Sequence, residues 1–146
     1  WFRIIHEKVT TRRKLHHYLP DDFTLFCPHC QSAISSTTEH SLFPCPLKFI
    51  VWRKALSYYI SPHFTHFAYE EYISSLHLQL SHDRSSHSLF PELFVYQVFA
   101  CIQQSIWSAP YCQVFQQVPF SSDCVLLSIH RIIFILSSPL SLDSVN

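Results

Sequence analysis

Four residues in two short pairs constrain this chain more than anything else in it: Cys27-x2-Cys30 and, after nine intervening residues, His40-x4-Cys45. Soft and borderline donors at that spacing are what a tetrahedral zinc requires, because each pair reaches two corners of the tetrahedron without straining the backbone. The candidate ligands are therefore Cys27, Cys30, His40 and Cys45. His29 is an alternative to His40, although its seat between Cys27 and Cys30 makes simultaneous coordination sterically awkward. The competing reading, core cysteines beside a surface histidine, accords with the general burial of cysteine. It leaves unexplained why Pro28, Pro44 and Pro46 fix turns around the thiols.

Phe26-Cys27-Pro28-His29-Cys30 also resembles the active-site tetrapeptide of bacterial disulfide-forming oxidoreductases of the thioredoxin type, whose low-pKa thiolate sits at a helix N-terminus. Such a site needs a strand before the motif and a helix beginning within it. Gln31 to Thr38 has neither apolar helical spacing nor good helix formers, so thiol–disulfide exchange at Cys27 is the minor alternative.

The chain has no glycine, which excludes phosphate-cradling loops and dinucleotide fingerprints, since both need glycine's permissive φ and close backbone approach. Tight primed hairpins are disfavoured for the same reason. It has no Met either, so the expectation is a piece of a longer polypeptide. Hydrophobic residues make up 48% of the 146 and charged ones 14%, enough apolar material for a packed core and too little charge for a disordered chain. Charge is unevenly placed. Residues 1–56 carry eight Lys/Arg against four Asp/Glu, a balance of +4, and the remainder carries two against six, a balance of −4. Three zinc-bound thiolates would remove about one charge from the front half. What is left still points to a polyanion partner there and only there.

Cys101, Cys112 and Cys124 lie in apolar runs without paired spacing and no secretory signal opens the chain, so a reduced intracellular compartment, nucleus or cytoplasm, is expected. No run reaches the ~18 uninterrupted apolar residues of a membrane span, so a soluble protein without membrane contact is expected.

The periodicities predict a mainly α fold: a small zinc knuckle with little or no strand, packed against short helices, then a three- to four-helix extension. The expected division is a zinc module over residues 1–60 and a helical C-terminal extension over 61–146. Residues 1–8 read as the end of a helix. Thr10 or Thr11 caps a short helix through His16 that carries Arg12, Arg13 and Lys14, and Leu19 to Asp22 is a turn. Pro46 starts a helix running to about Tyr59, where a missing N–H costs nothing. Arg53 and Lys54 lie on its exposed side, and Trp52 is a core anchor behind the metal. Thr65 caps a helix with Tyr69, Tyr72, Ile73, Leu76 and Leu80 on one face, and Ser81 to Ser88 is a linker. Pro91 opens a helix that Pro110 kinks or ends, with Tyr111 to Val118 open to helical continuation. Ser121 or Ser122 caps a last helix with Val125, Ile129, Ile132, Ile133 and Leu136 as its apolar stripe. Glu70-Glu71 is a solvated face, because adjacent helical residues do not point at each other. With eleven histidines, chance neighbours are common, and no Ser/His/Asp grouping stands out.

Taken in order, Trp1-Phe2-Arg3-Ile4-Ile5-His6, Thr11-Arg12-Arg13-Lys14-Leu15, Cys27-Pro28-His29-Cys30, Glu39-His40, Leu42-Phe43, Cys45-Pro46 and Val51-Trp52 resemble the zinc-binding module at the C-terminus of reverse transcriptases from non-LTR (LINE-type) retrotransposons. The likeness covers about the first 56 residues. It departs in one respect: much of that family places the acidic residue three positions before His, whereas Glu39 adjoins His40. The resemblance implies a non-catalytic module of a retroelement polyprotein, with an upstream RNA-directed DNA polymerase whose paired aspartates this chain lacks. It also implies Zn²⁺ as the cofactor. The basic residues Arg12, Arg13 and Lys14, with Arg53 and Lys54, become candidates for contacting template RNA or target DNA during target-primed reverse transcription. The alternative is a structural or protein-docking zinc module that does not touch nucleic acid.

Overall fold

The computed structural model describes residues 11–32, 38–62, 69–77, 90 and 93–138. Among them the secondary structure is helical and contains no strand. The order is α1 (Arg12–Tyr18), α2 (Thr38–Leu42), α3 (Pro46–Tyr59), α4 (Tyr69–Leu76), α5 (Val95–Gln116) and α6 (Ser122–Ser137). The expected helix over residues 1–8, the Thr65 cap, Leu80 and the Ser81 to Ser88 linker lie outside the described residues.

Local chemistry sets most of the helix ends. The Thr11 side chain accepts from the Lys14 N–H and starts α1, satisfying one of the donors a helix start leaves over. Ser121 does the same for α6 through the Cys124 N–H. Pro46 occupies the first position of α3, which runs to Tyr59 as its pattern predicts.

One expectation about α5 is corrected. The helix opens at Val95, not at Pro91, because the Gln97 side chain turns back to accept the Phe94 N–H at 2.9 Å and fixes the start there. Of the outcomes expected at Pro110, the helix does not end there; it continues to Gln116, within the Tyr111 to Val118 continuation that the sequence leaves open. Proline removes one rung of the hydrogen-bond ladder, and the surrounding turns are held by the core through buried Ile102 and Ile106 and partly buried Trp107 and Ala109. The helix stops at Gln117, which takes a left-handed conformation with φ 54°.

α3 packs against both α5 and α6, which also pack on each other. The resulting core is continuous from Leu42 and Phe43 through Val51, Trp52, Leu56 and Tyr59 to Val98, Phe99, Ile102, Ile106, Ile129 and Ile133, so apolar residues on both sides of residue 60 share it. Aromatic rings fill its centre: Trp52 meets Phe43, Tyr72 and Phe99 at centroid separations of 5.9, 5.2 and 5.7 Å, within the range where ring quadrupoles attract. On α6 the stripe holds at Val125, Ile129 and Ile133, with Ile132 partly buried. Leu136, expected on that stripe, is exposed, because it lies one turn beyond the last residue that α6 buries. A buried face of three such residues explains how a helix this apolar is held. Its other side carries exposed Leu127, Phe134 and Ile135.

Candidate metal centre

The sequence segments that carry the four candidate ligands have little regular structure of their own, so their placement depends on turns and on the core. Cys27 to Gln31 closes a turn in which the Gln31 N–H donates to the Cys27 carbonyl at 2.9 Å and the Cys27 N–H to the Ser32 carbonyl at 3.1 Å. The turn needs a left-handed residue at its end, and with no glycine in the chain Gln31 supplies it at φ 59°. His40 stands on α2 and Cys45 on the cap residue of α3. α2 is in turn tied to the core by the Trp52 indole, whose Nε1–H donates to the Leu42 carbonyl at 3.0 Å. Trp52, fully buried, is thus the anchor behind the centre that the sequence predicts.

These supports bring Cys27, Cys30, His40 and Cys45 together, with their donor atoms all within 4.8 Å of one another. Cys27 and Cys45 place their sulfurs 3.9 Å apart, and Cys30 Sγ lies 3.3 Å from His40 Nε2. In a tetrahedron with Zn–S of about 2.3 Å and Zn–N of about 2.0–2.1 Å, the corresponding edges are about 3.8 and 3.6 Å. The donor set and both separations are close to what a zinc-sized ion needs, so these four residues can hold one. His29 does not join them; its ring packs on Phe120 with centroids 4.5 Å apart.

The thiol electrostatics agree. The Cys45 thiol donates to Cys27, and this bond, helped by the backbone N–H groups of Cys30 and His29, pulls Cys27 well below the ordinary thiol value. The same bond pushes Cys45 far up, with burial adding to the effect. A buried pair sharing one proton between two sulfurs is poised to exchange that proton for a cation. No protein-family model, curated protein or solved structure matches this chain.

One residue near the centre escapes the sequence reading. Lys48 is 3% exposed; its backbone N–H donates to the Cys45 sulfur and its charge favours the Cys45 thiolate. Its position three residues after a Cys-Pro helix start was the available signal, since that is where a helix N–H reaches back to its cap.

The basic residues are placed as follows. Arg13 and Lys14 are exposed on α1. Arg12 belongs to the same helix, but its side chain lies outside the described residues. Arg53 and Lys54 are exposed on α3, and Lys54 reaches Asp123 of α6 at 3.4 Å. That pair joins two helices at the surface, where such contacts stabilise by about 1 kcal/mol or less. Among the described residues no helix is long and apolar enough to cross a membrane.

Proposed function

We propose that this chain is a non-catalytic zinc-binding module of a retrotransposon reverse transcriptase polyprotein, acting within the cell beside an upstream polymerase domain and contacting template RNA or target DNA. The observation that carries the metal part of this reading is the convergence of Cys27, Cys30, His40 and Cys45 into one cluster, donor atoms within 4.8 Å, with the Cys27–Cys45 and Cys30–His40 separations near tetrahedral edges. Zinc filling all four positions with protein ligands leaves no site for water or substrate, so its role is to hold the fold. The ordered run of motifs from Trp1 to Trp52 supports the family assignment. The exposed Arg13 and Lys14 on α1 support contact with phosphates, which is tolerant of sequence and sensitive to salt.

Metal analysis of the purified chain before and after chelation tests the first part, with about one zinc per chain expected. The second part is tested by reversing Arg12, Arg13 and Lys14 to Glu and measuring RNA and DNA binding by fluorescence anisotropy. Unchanged affinity would defeat it.

A docking role is favoured by a separate observation, the exposed Leu127, Phe134 and Ile135 along α6. Thiol turnover at Cys27 with no bound metal would instead support disulfide exchange.

A further inference from the structure

α1 and the segment that follows it enclose an open groove of about 530 Å³, lined by Arg13, Lys14, His16, His17, Tyr18 and Leu25. The groove has a defined wall: His16 Nδ1–H donates to the Phe23 carbonyl at 2.5 Å, so the returning segment is fastened to the helix. The Asp22 and Phe23 N–H groups close the intervening turn on the Leu19 carbonyl. Its chemistry is divided along the helix. Two cations, Arg13 and Lys14, stand at one end. One turn on, Tyr18 is 76% exposed, and its ring meets His17 edge-on at 5.2 Å.

Lys14 and Tyr18 are spaced i, i+4 and therefore neighbour each other on the helix surface, about one 5.4 Å turn apart. A nucleotide presents the same division, an anionic phosphate separated by a sugar from a flat base. A duplex keeps its bases stacked inside, so a protruding tyrosine beside the phosphate contacts finds no base face there. A single strand offers one at every residue. Leu25 adds apolar lining to the groove.

We propose that this groove binds single-stranded nucleic acid, with Arg13 and Lys14 on the phosphates and an unpaired base stacked on Tyr18. The proposal rests on the nucleic-acid reading above and narrows it to unpaired strands. It accounts for the juxtaposition of aromatic and basic side chains in one groove, which phosphate contact by itself does not require.

The test uses the full zinc-loaded chain with labelled 12-nucleotide oligo(U) and oligo(dT) and a 12-base-pair duplex, measured by anisotropy. The wild type binds the single strands at least tenfold more tightly than the duplex. Tyr18→Ala lowers single-strand affinity by roughly five- to 150-fold, the range for one base–aromatic stack, and leaves duplex binding unchanged; Tyr18→Phe restores it. A double variant Arg13→Glu/Lys14→Glu weakens both. Circular dichroism and zinc content establish that each variant is folded. If Tyr18→Ala binds single strands like wild type while the charge reversal abolishes binding, the stacking proposal fails and the phosphate reading survives. If the charge reversal also changes nothing, both fall.

Discussion

Replacing Trp52 by Phe tests how the core and the metal centre are joined. The carbonyl of Leu42 would ordinarily take a helical N–H from four residues on, but that residue is Pro46, which has none. The Trp52 indole supplies a donor from within the core. Phe keeps an aromatic ring among Phe43, Tyr72 and Phe99 and deletes only the N–H and part of the ring volume. Leaving a buried carbonyl without that donor costs about 1–3 kcal/mol, and the void from the smaller ring adds about 1 kcal/mol. The expected loss is about 2–4 kcal/mol, a large share of the stability of an ordinary domain. Because Leu42 is two residues past His40 on α2, metal affinity should fall as well. Urea unfolding followed by far-UV circular dichroism, with chelator and again with excess zinc, gives the first quantity. Competition with a chromophoric chelator gives the second. A variant within 0.5 kcal/mol of wild type in both conditions would show that the indole does not anchor the ligand turn.

Other outcomes follow from the same structure. Cys45→Ser or His40→Ala should abolish tight metal binding, read as loss of the thiolate-to-metal band on cobalt substitution, and should make urea stability insensitive to chelator. Lowering pH should release the metal, because protons compete for the thiolates; zinc content after dialysis across an acid series would check it. Burial raises both Tyr59, to about 12, and Tyr72 above the ordinary tyrosine value. Groups raised on folding favour the fold fully below their unfolded value near 10, and that contribution is lost as pH climbs toward 12. Thermal melts between pH 9 and 12 should show the decline. Gln117→Gly should raise stability by about 1 kcal/mol, since the left-handed conformation there suits glycine and costs a residue with a Cβ about that much. A lower melting temperature would refute it.

The helices legible in the sequence were those whose signals are local. Pro46 to Tyr59, the Thr11 and Ser121 caps and the Val125-Ile129-Ile133 stripe could all be read because a cap or a period acts within one or two turns. The start of α5 was not legible at Pro91, because the contact that fixes it is made by a side chain further along. A side chain, Gln97, set the start, and packing of Ile102 and Ile106 outweighed the missing rung at Pro110. Periodicity carries Leu136 onto the apolar stripe, but Ile133 is the last residue that α6 buries, so Leu136 is exposed. The burial of Lys48 was not legible, since lysine ordinarily seeks solvent, whereas here its N–H and charge face a buried thiol.

By itself the sequence determined the identities and spacings of four metal-competent side chains, a helical class without glycine-dependent turns, and the basic character of α1. Only the tertiary structure decided that Cys27, Cys30, His40 and Cys45 converge and His29 does not, that Trp52 ties α2 to the core, and that Tyr18 shares a groove with Arg13 and Lys14. The reason is one of range. Spacing constrains atoms a few bonds apart, while a tetrahedral edge between residues 27 and 45 is fixed by how separate turns are held against a common core.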